Sequence, residues 1–244
     1  MSRRHQVLVT RPEPGLGETM AALADAGWAP VAAPLLAMRP LHWSLPTSSA
    51  ITIQALLLTS GQSVAGVAAL GPMLQERPVL TVGDATATRA RAAGLANVTS
   101  AAGDADALAR LVASTLRPVD GALLLACGRG QGIPLARTLR RCGFTVIRRC
   151  VYAADPAVAL PDIAHEALQD GALDAALFFS GETASAFGRL LPIALHPALA
   201  SVRALAISRA VASTLQPMAW CSVEAAEMPN AASLLALLGD PPGR

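Results

Sequence analysis

ALLLACGRGQGIPLARTLRRCGFTVIRRCVY, residues 122–152, reads as one β-loop-α-β unit. The apolar run Ala122 to Ala126 has the length of a single buried strand. Gly128, Gly130 and Gly132 open a loop. Pro134 stands where a first helical turn begins, and Gly143 ends the helix. A second strand follows from Phe144 to Tyr152. A glycine loop feeding a helix N-terminus presents free backbone N–H groups and suits an anion. The unit also carries six arginines, Arg129, Arg137, Arg140, Arg141, Arg148 and Arg149, and it ends in the chain's only tyrosine, Tyr152.

The pattern recurs along the chain. Residues 6–10, QVLVT, form a strand, with Arg11 in the next loop. A helix over Gly15–Ala26 stops at Gly27, and a strand runs from Pro30 to Met38. Arg11 thus corresponds to Arg129, and Gly27 to Gly143. Residues 39–53, with Pro40, Pro46 and a Thr-Ser-Ser cluster, read as a linker or crossing segment. Strand 55–60 ends in Ser60, and Gly61 leads into a helix reaching about Leu74. Strand 78–82 is followed by Gly83-Asp84-Ala85-Thr86 and a helix to Ala93. A short strand covers 97–101, and Asp104 caps a helix over 105–116. Beyond Tyr152 come a short helix near 162–169 and strand 176–180, which ends in Ser180. Gly181-Glu182-Thr183 opens the next helix. Strand 202–207 precedes Ser208-Arg209 and a helix to Leu215. The last strand spans Ala219 to Val223, and Asn230 caps a helix to Leu238.

The second half echoes the first: LLLTSGQSVAG matches LFFSGETASAF, and LTVGDATATRA matches LAISRAVASTL. About ten strands alternating with helices predict parallel sheets in an α/β protein. Two similar doubly wound domains account for both the strand number and the repeat.

Composition narrows the function. The chain has 244 residues, 53% of them apolar, which is ample for one large or two small cores. No apolar run reaches the ~18 residues of a membrane helix. The N-terminus shows no signal peptide, so a cytoplasmic protein without a membrane partner is expected. A net charge of +2 gives no footprint for nucleic acid. Cys127, Cys142, Cys150 and Cys221 lack CxxC spacing and read as reduced core or near-core thiols. His5, His42, His165 and His196 are scattered, so no metal site is expected. All 19 basic residues are arginine, which excludes a lysine Schiff base and the P-loop lysine. A base-composition bias in the genome accounts for the missing lysines, and the chemical exclusions hold regardless.

Several motifs carry chemistry, each beside a plainer reading. Gly128-x-Gly130-x-Gly132 resembles a dinucleotide fingerprint, but its third glycine comes one residue early. The acidic residue expected after the next strand is missing, and Arg148 and Arg149 stand near there instead. A loop that merely turns tightly is the plainer reading. The strand-Ser-Gly turns at Ser60-Gly61 and Ser180-Gly181 sit at strand C-termini, where open α/β sheets bind ligands. One such turn reads as a helix cap. Two of them, with Gly83, Thr86 and the paired Arg11 and Arg129, favour a polyanion held between two domains. Neither serine lies in G-x-S-x-G, so a hydrolase nucleophile is not expected.

The ordered series VLVTRPE, LLLTSGQSV, VGDATATRARAAG, LLLACGRGQ…LxxxGFxVxxxxVY, ALFFSGETASAF and A-E-x-P-N-xxxLLxLL resembles the uroporphyrinogen-III synthase family over nearly the whole chain. The resemblance implies two flavodoxin-like doubly wound parallel-sheet domains joined by a two-stranded connector. Domain 1 would comprise 1–37 plus 155–244 and be interrupted by domain 2, residues 38–154. The crossing strands would lie near 35–42 and 148–155.

It also implies a lyase without a cofactor. Linear hydroxymethylbilane, an octacarboxylate, would be closed to the type III isomer with ring D inverted and water lost. The substrate would be handed over by the deaminase that makes it, and the protein would be a monomer. Tyr152 matches the family's tyrosine at the end of the return strand, the favoured acid for the leaving hydroxyl. Arg11, Ser60, Gly61, Gly83, Thr86, Arg129, Ser180, Gly181, Thr183, Ser208 and Arg209 would bind substrate. The chain departs from the family where Gly-x-Thr-Thr-Ala is replaced by Ser208-Arg209-Ala210-Val211-Ala212, losing two hydroxyls. A non-catalytic anion-binding or sensor module of the same fold is the alternative.

Overall fold

The computed structural model describes residues 5–45, 52–68 and 76–241. Arg3 and Arg4, the Thr-Ser-Ser cluster with Pro46, and the expected helix end at Leu74 lie outside these residues. The elements begin with β1 (Gln6–Val9), α1 (Gly15–Asp25), β2 (Ala29–Ala32) and β3 (Leu36–Pro40). Next come β4 (Ile53–Leu58), α2 (Gln62–Ala68), β5 (Val79–Thr81), α3 (Asp84–Ala92), β6 (Val98–Ser100) and α4 (Ala105–Thr115). β7 (Ala122–Gly128), α5 (Ile133–Arg141) and β8 (Val146–Pro156) form the unit quoted first. The chain continues through α6 (Asp162–Gln169), β9 (Leu173–Phe178), α7 (Gly181–Leu190) and β10 (Arg203–Ala206). It ends with α8 (Arg209–Leu215), β11 (Ser222–Ala225) and α9 (Ala231–Ala236).

Two compact units result: Met1–Ala37 with Asp155–Arg244, and Met38–Ala154. The first holds a five-stranded sheet in the order β11-β10-β9-β1-β2, with parallel pairings throughout. The second holds β8-β7-β4-β5-β6, also parallel, with β3 added outside β8. Numbered by position, both cores follow the flavodoxin-like order 2-1-3-4-5. The chain enters the second unit at its third position, which is why the copies appear permuted in sequence. It passes between the units in β3 and in β8, two hydrogen-bonded neighbours that make a two-stranded connector.

Both faces of each sheet are covered, so the strands are buried almost continuously and successive side chains alternate between two cores. In the first unit, Val7 and Val9 pack with Leu23 of α1 and Leu234 of α9, whereas Leu8 faces Ala164, Phe187 and Leu215 on the other side. In the second, Leu57, Leu123 and Leu125 meet Leu108, Val112 and Leu139; Leu56, Leu58 and Leu124 meet Val64, Val67 and Ala90. Each fully buried leucine contributes roughly 1.5–3 kcal/mol relative to an exposed one.

The structure corrects three expectations. The strand expected over Pro30–Met38 is two strands, β2 and β3, separated by Ala33-Pro34-Leu35. Pro34 has no N–H to give a ladder, and the break is where the chain leaves the first sheet. The last strand begins at Ser222, three residues later than Ala219. Trp220 is taken instead by an aromatic cluster, 5.3 Å from Phe187 and 5.8 Å from Phe178 between centroids. Of the four cysteines, Cys142 and Cys221 are exposed; only Cys127 is buried and Cys150 half-buried.

Candidate functional site

In a doubly wound sheet, ligands bind beyond the strand C-termini where neighbouring strands send their helices to opposite faces. In the first unit that point lies between β1 and β9. β1 leads to α1 on the Val7 face, and β9 leads to α7 on the Leu8 face. In the second unit it lies between β7 and β4, which lead to α5 and α2 on opposite faces. The sequence-predicted loop residues follow the C-terminal ends of the strands at and beside these two points, unit by unit.

At the first, Arg11 follows β1. Its guanidinium carbon stands 4.2 Å over the Phe179 ring centroid, and Nη1 donates to Thr19 Oγ1 at 3.2 Å. Gly15 lies directly beneath, with no room for a Cβ under the guanidinium. Arg11 is therefore a placed, partly desolvated cation. Ser180 caps α7, its Oγ accepting from Thr183 N at 3.1 Å, while buried Thr183 donates Oγ1 to Ser180 O at 2.9 Å. The Thr183 hydroxyl is thus turned onto its own cap. Gly181 has open space where a Cβ would stand. After β10, Ser208 Oγ accepts from Val211 N at 3.4 Å, and Arg209 is exposed beside it. The first unit therefore brings Arg11, Ser180, Gly181, Thr183, Ser208 and Arg209 to one end of its sheet.

At the second, Ser60 Oγ accepts from Gln62 N at 3.2 Å. Gly61 is overlain by Arg89 of α3: an added Cβ would meet Arg89 Nη1 at 2.6 Å. Gly83 begins α3 without a side-chain cap, so its first N–H groups have no capping oxygen from that residue, and Thr86 is buried in the first turn. Ser63 is fully buried, and its Oγ has no hydrogen-bond partner among the described residues. Arg129 is exposed in the loop after β7.

The Gly128–Gly132 loop is fastened from below. Gly130 and Gly132 take φ of 78° and 75°, a left-handed backbone that glycine alone adopts without strain. In β8 one extra residue, Val151, bulges the ladder so that Cys127 pairs with Cys150 but Gly128 pairs with Tyr152. The bulge re-aims Tyr152 onto the face opposite Cys150. Tyr152 is 6% exposed and donates its hydroxyl to Gln131 Oε1 at 2.9 Å. On the other face Arg148 Nη1 donates to Gln131 O at 2.8 Å and contacts both sulfurs, Cys150 at 3.3 Å and Cys127 at 3.5 Å. Burial pushes the Cys127 thiol above its ordinary range, with Arg148 working against that shift.

Sequence reasoning missed Gln131, Arg148 and Arg89 as site residues. Gln131 stood inside the quoted loop, but nothing in its type pointed to Tyr152. Arg89 reaches Gly61 only because β4 and β5 are neighbours, and no spacing announces that. Among the described residues, no three His, Cys, Asp or Glu side chains cluster to hold a metal, and no helix is long and apolar enough to cross a membrane.

Comparisons with known proteins agree with this architecture. A search of curated proteins gave no match. The crystal structure of uroporphyrinogen-III synthetase from Helicobacter pylori is 15% identical, covers 96% of this chain and 98% of its own, and superposes with a TM-score of 0.64. A mutant uroporphyrinogen III synthase from Thermus thermophilus is 22% identical over 96% and 97% of the two chains, with a TM-score of 0.52. Both show the shared fold. A family model described as uroporphyrinogen-III synthase HemD matches residues 17–236. The chain belongs to the uroporphyrinogen-III synthase family of porphyrin biosynthesis.

Proposed function

We propose that the protein closes linear hydroxymethylbilane to uroporphyrinogen III, inverting ring D and releasing water, as a lyase without a cofactor. The observation that carries this reading is the family match over residues 17–236. The loop geometry supports it: each unit offers arginines and helix N-termini at its switch point, which suits a substrate with eight carboxylates.

In this reading the hydroxyl leaves first, pushed out by a pyrrole nitrogen, and an azafulvene remains. Ring closure through a spiro intermediate then turns ring D around. Tyr152 is the acid for the leaving hydroxyl. A phenol, with pKa about 10, stays protonated at neutral pH and donates weakly. Its proton now points at Gln131 Oε1, so donation requires the hydroxyl to exchange that acceptor for the substrate oxygen. Arg11, Arg129, Arg209 and the Ser60–Gly61, Gly83–Thr86, Ser180–Thr183 and Ser208 turns bind carboxylates, and Arg89 joins them. The substrate arrives from the deaminase that makes it, and the protein acts as a cytoplasmic monomer.

A coupled assay decides the matter. Hydroxymethylbilane is made in situ, the protein is added, and the porphyrin isomers are separated after oxidation. Type III is expected. Only the spontaneous type I isomer would reduce the protein to an anion-binding member of the same fold.

A further inference from the structure

We infer that Cys127 and Cys150 form a reversible redox pair, a disulfide-forming modification site beneath the Gly128–Gly132 loop. The two are direct partners in the β7–β8 ladder. Parallel neighbours stand about 4.8 Å apart, within the roughly 4.4–6.8 Å that a disulfide spans between Cα atoms. Residues paired in register project to the same face, and one atom confirms it here: Arg148 Nη1 touches both sulfurs, at 3.3 and 3.5 Å.

Their exposures differ in the way a reacting and a resolving thiol require. Cys150 is half-buried, so an oxidant reaches it first; Cys127 is fully buried. With hydrogen peroxide as oxidant, the Cys150 sulfur attacks one peroxide oxygen. The O–O bond breaks, hydroxide leaves and takes up a proton, and a sulfenic acid remains. The Cys127 sulfur then attacks the Cys150 sulfur, the S–O bond breaks, and water departs with the Cys127 proton. Two thiols lose two electrons in total, and one peroxide becomes two waters.

The link would act on the loop above. In the reduced protein Cys127 Sγ donates to Gln131 O at 3.2 Å, and Arg148 donates to the same carbonyl at 2.8 Å. Joining the sulfurs removes the Cys127 S–H, and with it the bond to Gln131 O and the longer contact to Arg149 O at 3.6 Å. Gln131 then loses part of the anchorage that sets its side chain on Tyr152.

The test is chemical and does not depend on the proposed reaction. The reduced full-length protein is treated with hydrogen peroxide, unfolded in an alkylating agent and digested with trypsin. Cleavage after Arg129, Arg141, Arg149 and Arg209 places all four cysteines on separate peptides. A peptide pair linking Cys127 to Cys150 is expected, abolished by dithiothreitol, with Cys142 and Cys221 recovered alkylated when protein is dilute. In Cys150→Ser, whose change lies at the half-exposed position, buried Cys127 should stay a free thiol under the same treatment. Recovery of Cys150 as sulfinic acid with Cys127 alkylated would overturn the inference. So would a bond from Cys127 to Cys142 or Cys221 in the variant.

Discussion

The Tyr152 hydroxyl donates to Gln131 Oε1 at 2.9 Å, three residues beyond Gly128, the last residue of β7, which lies close against the phenol ring. Strand, bulge, loop and side chain here form one arrangement. The bulge at Val151 brings Tyr152 opposite Gly128, and the absence of a Cβ at Gly128 leaves room for the ring. Gln131, three residues on, closes over the hydroxyl.

Gly128→Ala tests that arrangement as packing. A Cβ there would stand 2.8 Å from Tyr152 Cζ and 2.9 Å from Gln131 Oε1, both closer than atoms tolerate. Ring and amide must both move. The expected cost is about 1–3 kcal/mol, typical of overpacking. Urea denaturation measures it, and an unchanged midpoint would mean that Tyr152 has another place to go.

Tyr152→Phe tests the same arrangement as chemistry. The substitution keeps the ring in its apolar cluster and deletes one neutral hydrogen bond, worth about 1 kcal/mol. For a chain of this size that lowers Tm by only about 2–4 °C. If the hydroxyl assists departure of the leaving group, kcat falls at least ~10-fold, toward the low end of the ~10²–10⁴-fold that general acids contribute. Wild-type kcat in the variant would leave the tyrosine as packing, and the acid would be a bound water or the substrate itself.

The arginines separate in a way the sequence did not show. Arg129 is exposed, so Arg129→Ala should leave stability unchanged. Arg11 stacks on Phe179 and bonds Thr19, so Arg11→Ala should cost roughly 1–2 kcal/mol in lost cation–π and hydrogen-bond energy. Both should raise KM for a carboxylate-rich substrate by about ten-fold or more, since a partly desolvated charge-assisted pair is worth about 1.5–3 kcal/mol and about 1.4 kcal/mol is a factor of ten. Unaltered KM in both variants would remove them from the binding site.

Most of the scaffold was legible because local chemistry and tertiary structure agree. Asp104, Ser180 and Asn230 cap the helices their positions announced. Gly143, with φ of 89°, ends α5 where the pattern stopped. The paired strands β4 and β9, β5 and β10, and β1 and β7 occupy matching sheet positions, as the repeats implied. What stayed hidden depends on contacts distant in sequence. The break at Pro34 reflects a change of sheet, and Trp220 was drawn from its apparent strand by two phenylalanines. Arg89 lies over Gly61 through strand adjacency alone. The Gln131–Tyr152 bond crosses 21 residues and a bulge that no periodicity reveals.

At the edge of the first sheet, charge can be weighed against hydrogen bonding. Arg203 in β10 donates Nε to Glu224 Oε1 at 3.0 Å and Nη2 to Oε2 at 3.1 Å. Ser222 adds a donor to the same carboxylate at 2.8 Å. Arg203, and next Ser222, hold the Glu224 carboxyl below its ordinary value of 4.5. A depressed folded-state value means that this stabilisation is fully present above the ordinary value and lost as pH falls through the lower one. The pair is about a third exposed, so its worth is only ~0–1 kcal/mol. Glu224→Gln should therefore lower stability slightly at pH 7, and its difference from the native protein should shrink below pH 4.5. Arg203 has a second task, donating to Leu237 O at 2.7 Å and Leu238 O at 3.4 Å just past the end of α9. Arg203→Ala frees those carbonyls as well, so it should cost about 1–3 kcal/mol, with a residue that persists at acid pH. Chemical denaturation of both variants at pH 7 and near pH 3 reads the two contributions separately. Equal losses at both pH values for Glu224→Gln would show that the carboxylate's charge contributes nothing at this edge.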